Sequence, residues 1–242
     1  MDKIVLKKGH DLGISGVPNP DKIIPIIPKK VALLPSAFRS VKPKLMVKEG
    51  DDVKIGTPLF FDKLKPDVRW ASPASGKVLN IQFGDRRVIE KIEIKVEGEE
   101  YVELDKKDIN EICELKNQEV LDCILKANLF PLIRQRPFNK VADPNDRPRD
   151  IFVSLVNSAP LSLNTSLFLH KNTDAFQAGI NALSRLTSGK VIVPSRNGLE
   201  FENSIAQTFQ GPHPAGNVGI QIHHIKPIKP GDVIWTVDAQ NV

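Results

Sequence analysis

The chain has 242 residues, a formal net charge of +5, 40% hydrophobic and 26% charged residues, enough for one large domain or two ordinary ones, each with its own core. Aliphatic residues recur along the whole length, which excludes general disorder. Apolar runs are only a few residues long, far short of the roughly eighteen that a membrane helix needs. The first ten residues, MDKIVLKKGH, are charged and lack an apolar h-region, so no signal peptide is read there and a cytoplasmic protein is expected. Excess positive charge suits an acidic partner, an anionic membrane surface or nucleic acid. Nucleic acid is disfavoured, because basic residues alternate with acids (DKKDINE, VIEKIEIKVEGEE) and one Tyr with two Trp builds no stacking platform.

Residues 1–30 are rich in Gly and Pro, which excludes helix and predicts an extended N-terminal arm lying across another part of the molecule. Residues 31–104 read as a small β domain. Short β-prone runs (VALLP, LMV, PLFF, KVLNI, VIEKIEIKV) are separated by the turn signals KEGD, IGTP, SPASG and FGDR. The pattern V-x-x-G-D-x-V-x-x-G from Val47 to Gly56, followed by P-x-x-G-x-V from Pro73 to Val78, resembles the barrel-sandwich fold of biotinyl and lipoyl carrier domains. Lys63 in Phe61-Asp62-Lys63-Leu64 is the counterpart that the carrier resemblance implies for a modified lysine. The stretch DKLKPDVRW reads as a long loop that displaces the hairpin tip, so a solvated lysine is expected instead.

Residues 105–150 read as a helical connection followed by a basic linker. Ile109, Ile112, Cys113 and Leu115, then Val120, Leu121, Ile124 and Leu125, predict two short amphipathic helices. Cys113 and Cys123 are too few for a metal site and are expected as buried free thiols. RQRPFNKVADPNDRPRD over 134–150 is basic and Pro-rich, as a linker would be.

Residues 151–242 alternate strand and helix, which predicts an α/β layer with a mostly parallel sheet. Strands are expected at 151–156, 190–193, 205–210 and 232–237. A helix capped at Asn172 or Thr173 carries Phe176, Ile180, Leu183 and Leu186 on one face and closes at Ser188-Gly189. The chain stops at VIWTVDAQNV, in or just after an apolar run, which reads as an α/β domain truncated at its C-terminus.

Candidate chemistry concentrates in Gly211-Pro212-His213-Pro214-Ala215-Gly216-Asn217-Val218-Gly219. A helix starting there would aim free N–H groups at an anion, and Gly211, His213 and Gly216 are the candidate cofactor-binding residues. The G-x-G-x-x-G order of a dinucleotide loop is absent, so a plain turn and helix start is the competing reading. His223 and His224 are adjacent and diverge in direction, and no metal site is expected. Ser154, Ser158 and Ser162 have no base nearby in sequence, and neither a G-x-S-x-G elbow nor a P-loop occurs, so no catalytic residues are assigned.

Several phrases in order are similar to one family. They are Lys7-Lys8-Gly9, Asp11-Leu12, Ser15-Gly16, Lys30 to Leu34, Val47 to Gly50, Asp62-Lys63 and Ala71 to Val78. Arg136-Pro137-Phe138-Asn139-Lys140-Val141, Ala178-Gly179, Thr187 to Val191 and Gly211 to Gly216 follow. Together they resemble the NqrA subunit of the bacterial Na⁺-translocating NADH:quinone oxidoreductase, from residue 5 to the end. The resemblance implies a barrel-sandwich domain followed by a degenerate nucleotide-binding-like α/β domain of Rossmann type. It also implies a peripheral protein on the cytoplasmic face of the cell membrane. Its partners would be the other subunits of the Nqr complex, above all the membrane-embedded quinone or flavin subunit. NADH, FAD or FMN, iron–sulfur centres and quinone then belong to the whole complex, with no cofactor on this chain. The rival reading is a flavin- or NADH-binding module built on the 211–219 turn.

Overall fold

The computed structural model describes residues 3–15, 24–109, 111–162 and 165–242. Gly16 and the following stretch to residue 23, part of the expected arm, lie outside the described residues. After β1 (Ile4–Val5), a β unit follows with β2 (Lys30–Leu33), β3 (Pro43–Leu45), β4 (Asp52–Val53), β5 (Pro58–Asp62), β6 (Lys65–Ala71), β7 (Gly76–Phe83) and β8 (Ile89–Val96). They form two small antiparallel sheets, ordered β2-β8-β7-β4 and β3-β5-β6. Leu59, Phe60, Val68, Trp70, Val78, Ile92 and Ile94 fill one core, alternate positions of their strands except for Leu59 and Phe60, where the β5–β6 register is irregular. Trp70 stacks on Phe60 at 4.7 Å and meets Phe38 edge-on at 5.3 Å.

The segment DKLKPDVRW is not a long loop. Lys63 and Leu64 form a tight two-residue connection, with Asp62 opposite Lys65. The buried Asp62 carboxylate holds it by accepting the main-chain N–H groups of Leu64 (3.1 Å) and Lys42 (3.0 Å). Pro66 is tolerated because β6 is the edge of its sheet, where a missing donor is harmless. Lys63 therefore stands exposed at a tight hairpin tip, contrary to the displaced position expected.

A single 3₁₀ turn (Ile112–Glu114) and α1 (Asn117–Lys126) replace the two expected helices. Glu119 accepts the Lys116 N–H at 2.7 Å, which fixes where α1 begins. Val120 and Leu121 face inward, leaving Cys123 on the outer side. Both Cys113 and Cys123 are free thiols but exposed, not buried.

The basic stretch from 134 is also more than a connection. It forms the hairpin β9 (Arg134–Arg136) and β10 (Lys140–Val141) on the edge of the second unit's sheet. That unit continues with β11 (Asp150–Ser154), α2 (Ser166–Leu186), β12 (Val191–Ser195), β13 (Ser204–Gln210), α3 (Val218–Ile225) and β14 (Ile234–Asp238). The order is β1-β13-β12-β11-β14-β9-β10, parallel from β1 through β14 and antiparallel beyond. β1 of the arm is thus a parallel edge strand, with Ile4 opposite Phe209.

Strand alternation assigns the faces. Ile151, Val153, Val191, Val193 and Trp235 belong to the same core as Phe176, Ile180, Leu183 and Leu186 of α2. Phe152, Ile192 and Ile234 pack with Ile222 of α3. α2 begins before the expected cap, and Asn172 marks instead a departure from helical dihedrals within it (φ −131°, ψ 25°). At the amino end of β11 the buried Asp150 carboxylate takes Arg149 Nε at 2.8 Å and Lys226 Nζ at 2.7 Å, and Arg149 also pairs with Asp232.

Candidate functional site

The turn between β13 and α3 is held from two sides. Leu6 N–H donates to Gln210 O (2.8 Å) and His10 N–H to His213 O (2.9 Å), while Asp11 Oδ1 accepts the His213 main-chain N–H (2.8 Å). Gly211 has φ +143°, and a Cβ there would lie 2.6 Å from Leu6 O, so only glycine lets the arm approach. Across the turn, Ser158 Oγ accepts the Gly216 N–H at 2.7 Å and lies 3.1 Å from His213 Nδ1. A Cβ on Gly216 would collide with the Ser158 backbone.

The three residues singled out in the sequence are therefore brought together, but Gly211 and Gly216 fit chain against chain and leave no open backbone cradle for a phosphate. The fold also gives Ser158 a partner that sequence distance concealed, since His213 lies 55 positions away. Among the described residues no carboxylate is hydrogen-bonded to the His213 ring. Asp11, the nearby carboxylate, holds the His213 main chain rather than its ring. His223 and His224 sit on α3 with rings 5.1 Å apart, and among the described residues no group of three or more His, Cys, Asp or Glu could hold a metal ion.

Open space lies at the carboxyl ends of the parallel strands. A cavity of about 640 Å³ is bordered by His10, Asp11, Ser158, Arg196 and His213. A second, of about 610 Å³, is bordered by Arg136, Ser154, Asn157, Asn217, Gly219 and Asp238. Burial pushes the Arg136 guanidinium below its usual range, partly offset by Asp238. Arg134 is shifted the same way for the same reasons, and its guanidinium lies 4.9 Å from the Phe38 ring. Arg136 stands in the sequence only as the start of a family phrase, not as a site residue, and Asp238 was not singled out at all. The hairpin that carries Arg136 is hidden by its basic, Pro-rich composition, and Asp238 matters only through the strand order. A larger groove of about 860 Å³ runs between the β unit and α1, with Lys65, Arg69, Asp122 and Arg147 of mixed charge along it.

Comparison with known proteins agrees with this layout. Residues 4–97 match the family model described as the NqrA N-terminal barrel-sandwich hybrid domain, and residues 115–242 that of the NqrA second alpha/beta domain. The corresponding protein of the Na(+)-translocating NADH-quinone reductase of Yersinia pseudotuberculosis serotype O:1b (strain IP 31758) is 37% identical over 245 residues, covering 99% of this chain and 55% of the relative. Its counterparts in Pseudomonas aeruginosa (strain UCBPP-PA14) and Vibrio atlanticus (strain LGP32) are each 35% identical, covering 99% of this chain and 54% of theirs. The chain spans about half the length of the curated relatives it matches. Both halves of the fold, the barrel-sandwich unit and the α/β unit, place the chain in the NqrA family.

Proposed function

We propose that the chain serves as the part of NqrA that holds its first two domains, in a Na⁺-translocating NADH:quinone oxidoreductase. In this reading it supports electron transfer from NADH to quinone, coupled to Na⁺ export, by binding other subunits rather than by carrying a redox group. The observation that carries it is 37% identity, over 99% of the chain, to a protein named as part of that reductase. Among the described residues no helix is long and apolar enough to cross a membrane, which suits a peripheral position on the cytoplasmic face.

The docking element we assign is the arm. Ile26 and Ile27 are 85% and 87% exposed, next to Lys29 and Lys30, a combination suited to an apolar and acidic partner surface on the membrane-embedded quinone or flavin subunit. The test is co-purification of the full-length protein with the membrane subunits. Ile26→Asp with Ile27→Asp is expected to reduce recovery of the complex severalfold, while full recovery by the double variant overturns the arm's role. Failure of the wild-type protein to co-purify overturns membership of the complex. Flavin or NADH binding by the 211–219 turn has less support, because Gly211 and Gly216 are packed against Leu6 and Ser158. Saturable flavin binding by the purified chain that Gly216→Ala abolishes would reverse that ranking.

A further inference from the structure

In an open α/β sheet, ligands enter where the strand order reverses, because the loops on either side of that point diverge and leave a crevice. Here the chain runs outward through β11, β12 and β13 on one side and returns through α3 to β14 on the other. The reversal therefore lies between β11 and β14. The cavity of about 610 Å³ sits at the carboxyl ends of these two strands, bordered by Ser154 and Asn157 after one and by Asp238 after the other. Its volume is that of a small-molecule site.

The donors around it are unspent. The Arg136 side chain is partly buried at the cavity wall, and its enclosed Nε has no hydrogen-bond partner among the described residues. The guanidinium stands beside the first turn of α3, with Nη1 4.0 Å from where a Gly219 Cβ would be. The first turn closes through Ile220 and Gln221, whose N–H groups donate to Asn217 O. The Val218 and Gly219 N–H groups have no acceptor among the described residues. Asp238 is the opposing charge in the crevice, and no ion pair joins it to Arg134 or Arg136 among the described residues.

We propose that the crevice between β11 and β14 binds a small phosphate-bearing anion, with the Arg136 guanidinium as its cation and the Val218 and Gly219 N–H groups as further donors. These donors are at the far end of the 211–219 segment, beyond Gly211 and Gly216, both of which face other backbone. That position puts the anion on the far side of the turn, on groups the chain itself leaves unpaired. Asp238 limits the charge the crevice accepts, so a pyrophosphate or phosphate monoester would lie on the Arg136 side.

The test is calorimetric titration of the whole 242-residue chain with pyrophosphate and with AMP. Saturable binding to at least one is expected. Arg136→Gln should weaken it about tenfold or more, the loss of a charge-assisted bond, and Asp238→Asn should tighten it. Gly219→Asp provides a variant that does not depend on how the hairpin tolerates losing its arginine. A side chain there meets nothing closer than Arg136, and its carboxylate would occupy the guanidinium and abolish binding. Absence of saturable binding to both probes overturns the proposal, as does binding unchanged in both Arg136→Gln and Gly219→Asp.

Discussion

Asp150 and Gly211 show how single residues set the two ends of the α/β sheet. The Asp150 side chain is only 1% exposed, and Arg149 and Lys226 satisfy its charge. Asp150→Ala removes charge-assisted bonds without leaving a buried cation, since Lys226 is half exposed. The expected cost is about 2–3 kcal/mol, read as a lower urea midpoint at unchanged slope. At the opposite end, Gly211→Ala must place a Cβ 2.6 Å from Leu6 O at φ +143°. The expected cost is about 1–3 kcal/mol. It should appear locally, as faster hydrogen exchange of the Leu6 and His10 amides, while the interior strands keep their protection.

Among the elements, the β5–β6 hairpin carries the aromatic centre of the β unit. Trp70→Ala removes the ring that stacks on Phe60 and meets Phe38. A loss of about 3–5 kcal/mol is expected, visible in the thermal unfolding of the chain. This hairpin also marks where composition misleads. Val68 and Trp70 alternate with Asp67 and Arg69, an ordinary half-buried pattern, yet Pro66 and its charged neighbours disguise it as a loop. Arg134–Arg136 is concealed in the same way, because its pairing partner, β14, lies about a hundred residues later and no local signal announces it. Patterns carried by a continuous apolar run were readable. Phe176, Ile180, Leu183 and Leu186 are all buried as their spacing indicates, and the four predicted α/β strands exist. The first of the two expected helices shrinks to one 3₁₀ turn, Ile112–Glu114, too short a run for a costly helix nucleus. The candidate site divides similarly. The Gly211–Gly216 turn was legible from its composition, but its glycines serve a close approach of the arm that only the fold reveals.

At the scale of the whole molecule, the two units are joined by polar contacts as well as by packing. Lys65 of the hairpin pairs with Asp143 at 3.0 Å and lies 3.4 Å from Ala142 O, and Asn128 donates to Gly56 O at 3.1 Å. Burial alone would raise the Asp143 carboxyl, but hydrogen bonds from Asn145 and Lys65 outweigh it and hold it below the usual range. A carboxyl depressed in the folded state stabilises above its unfolded pKa of about 4, and that contribution fades as pH falls through the folded value. Asp143→Asn should therefore flatten the acid limb of stability below about pH 4. Equal acid sensitivity of variant and wild type, in denaturant titrations on either side of that pH, would show that the pair does not couple the units.

The pairing of Ile4 with Phe209 has a consequence in time. β1 leaves the ribosome about two hundred residues ahead of its partner strand, so a very large loop must close before the edge can form. The β unit between them is complete long before that, and can fold while the first strand still waits. Docking of the arm is then a late event in maturation, and any protein that meets the nascent chain early meets an unpaired β1 strand.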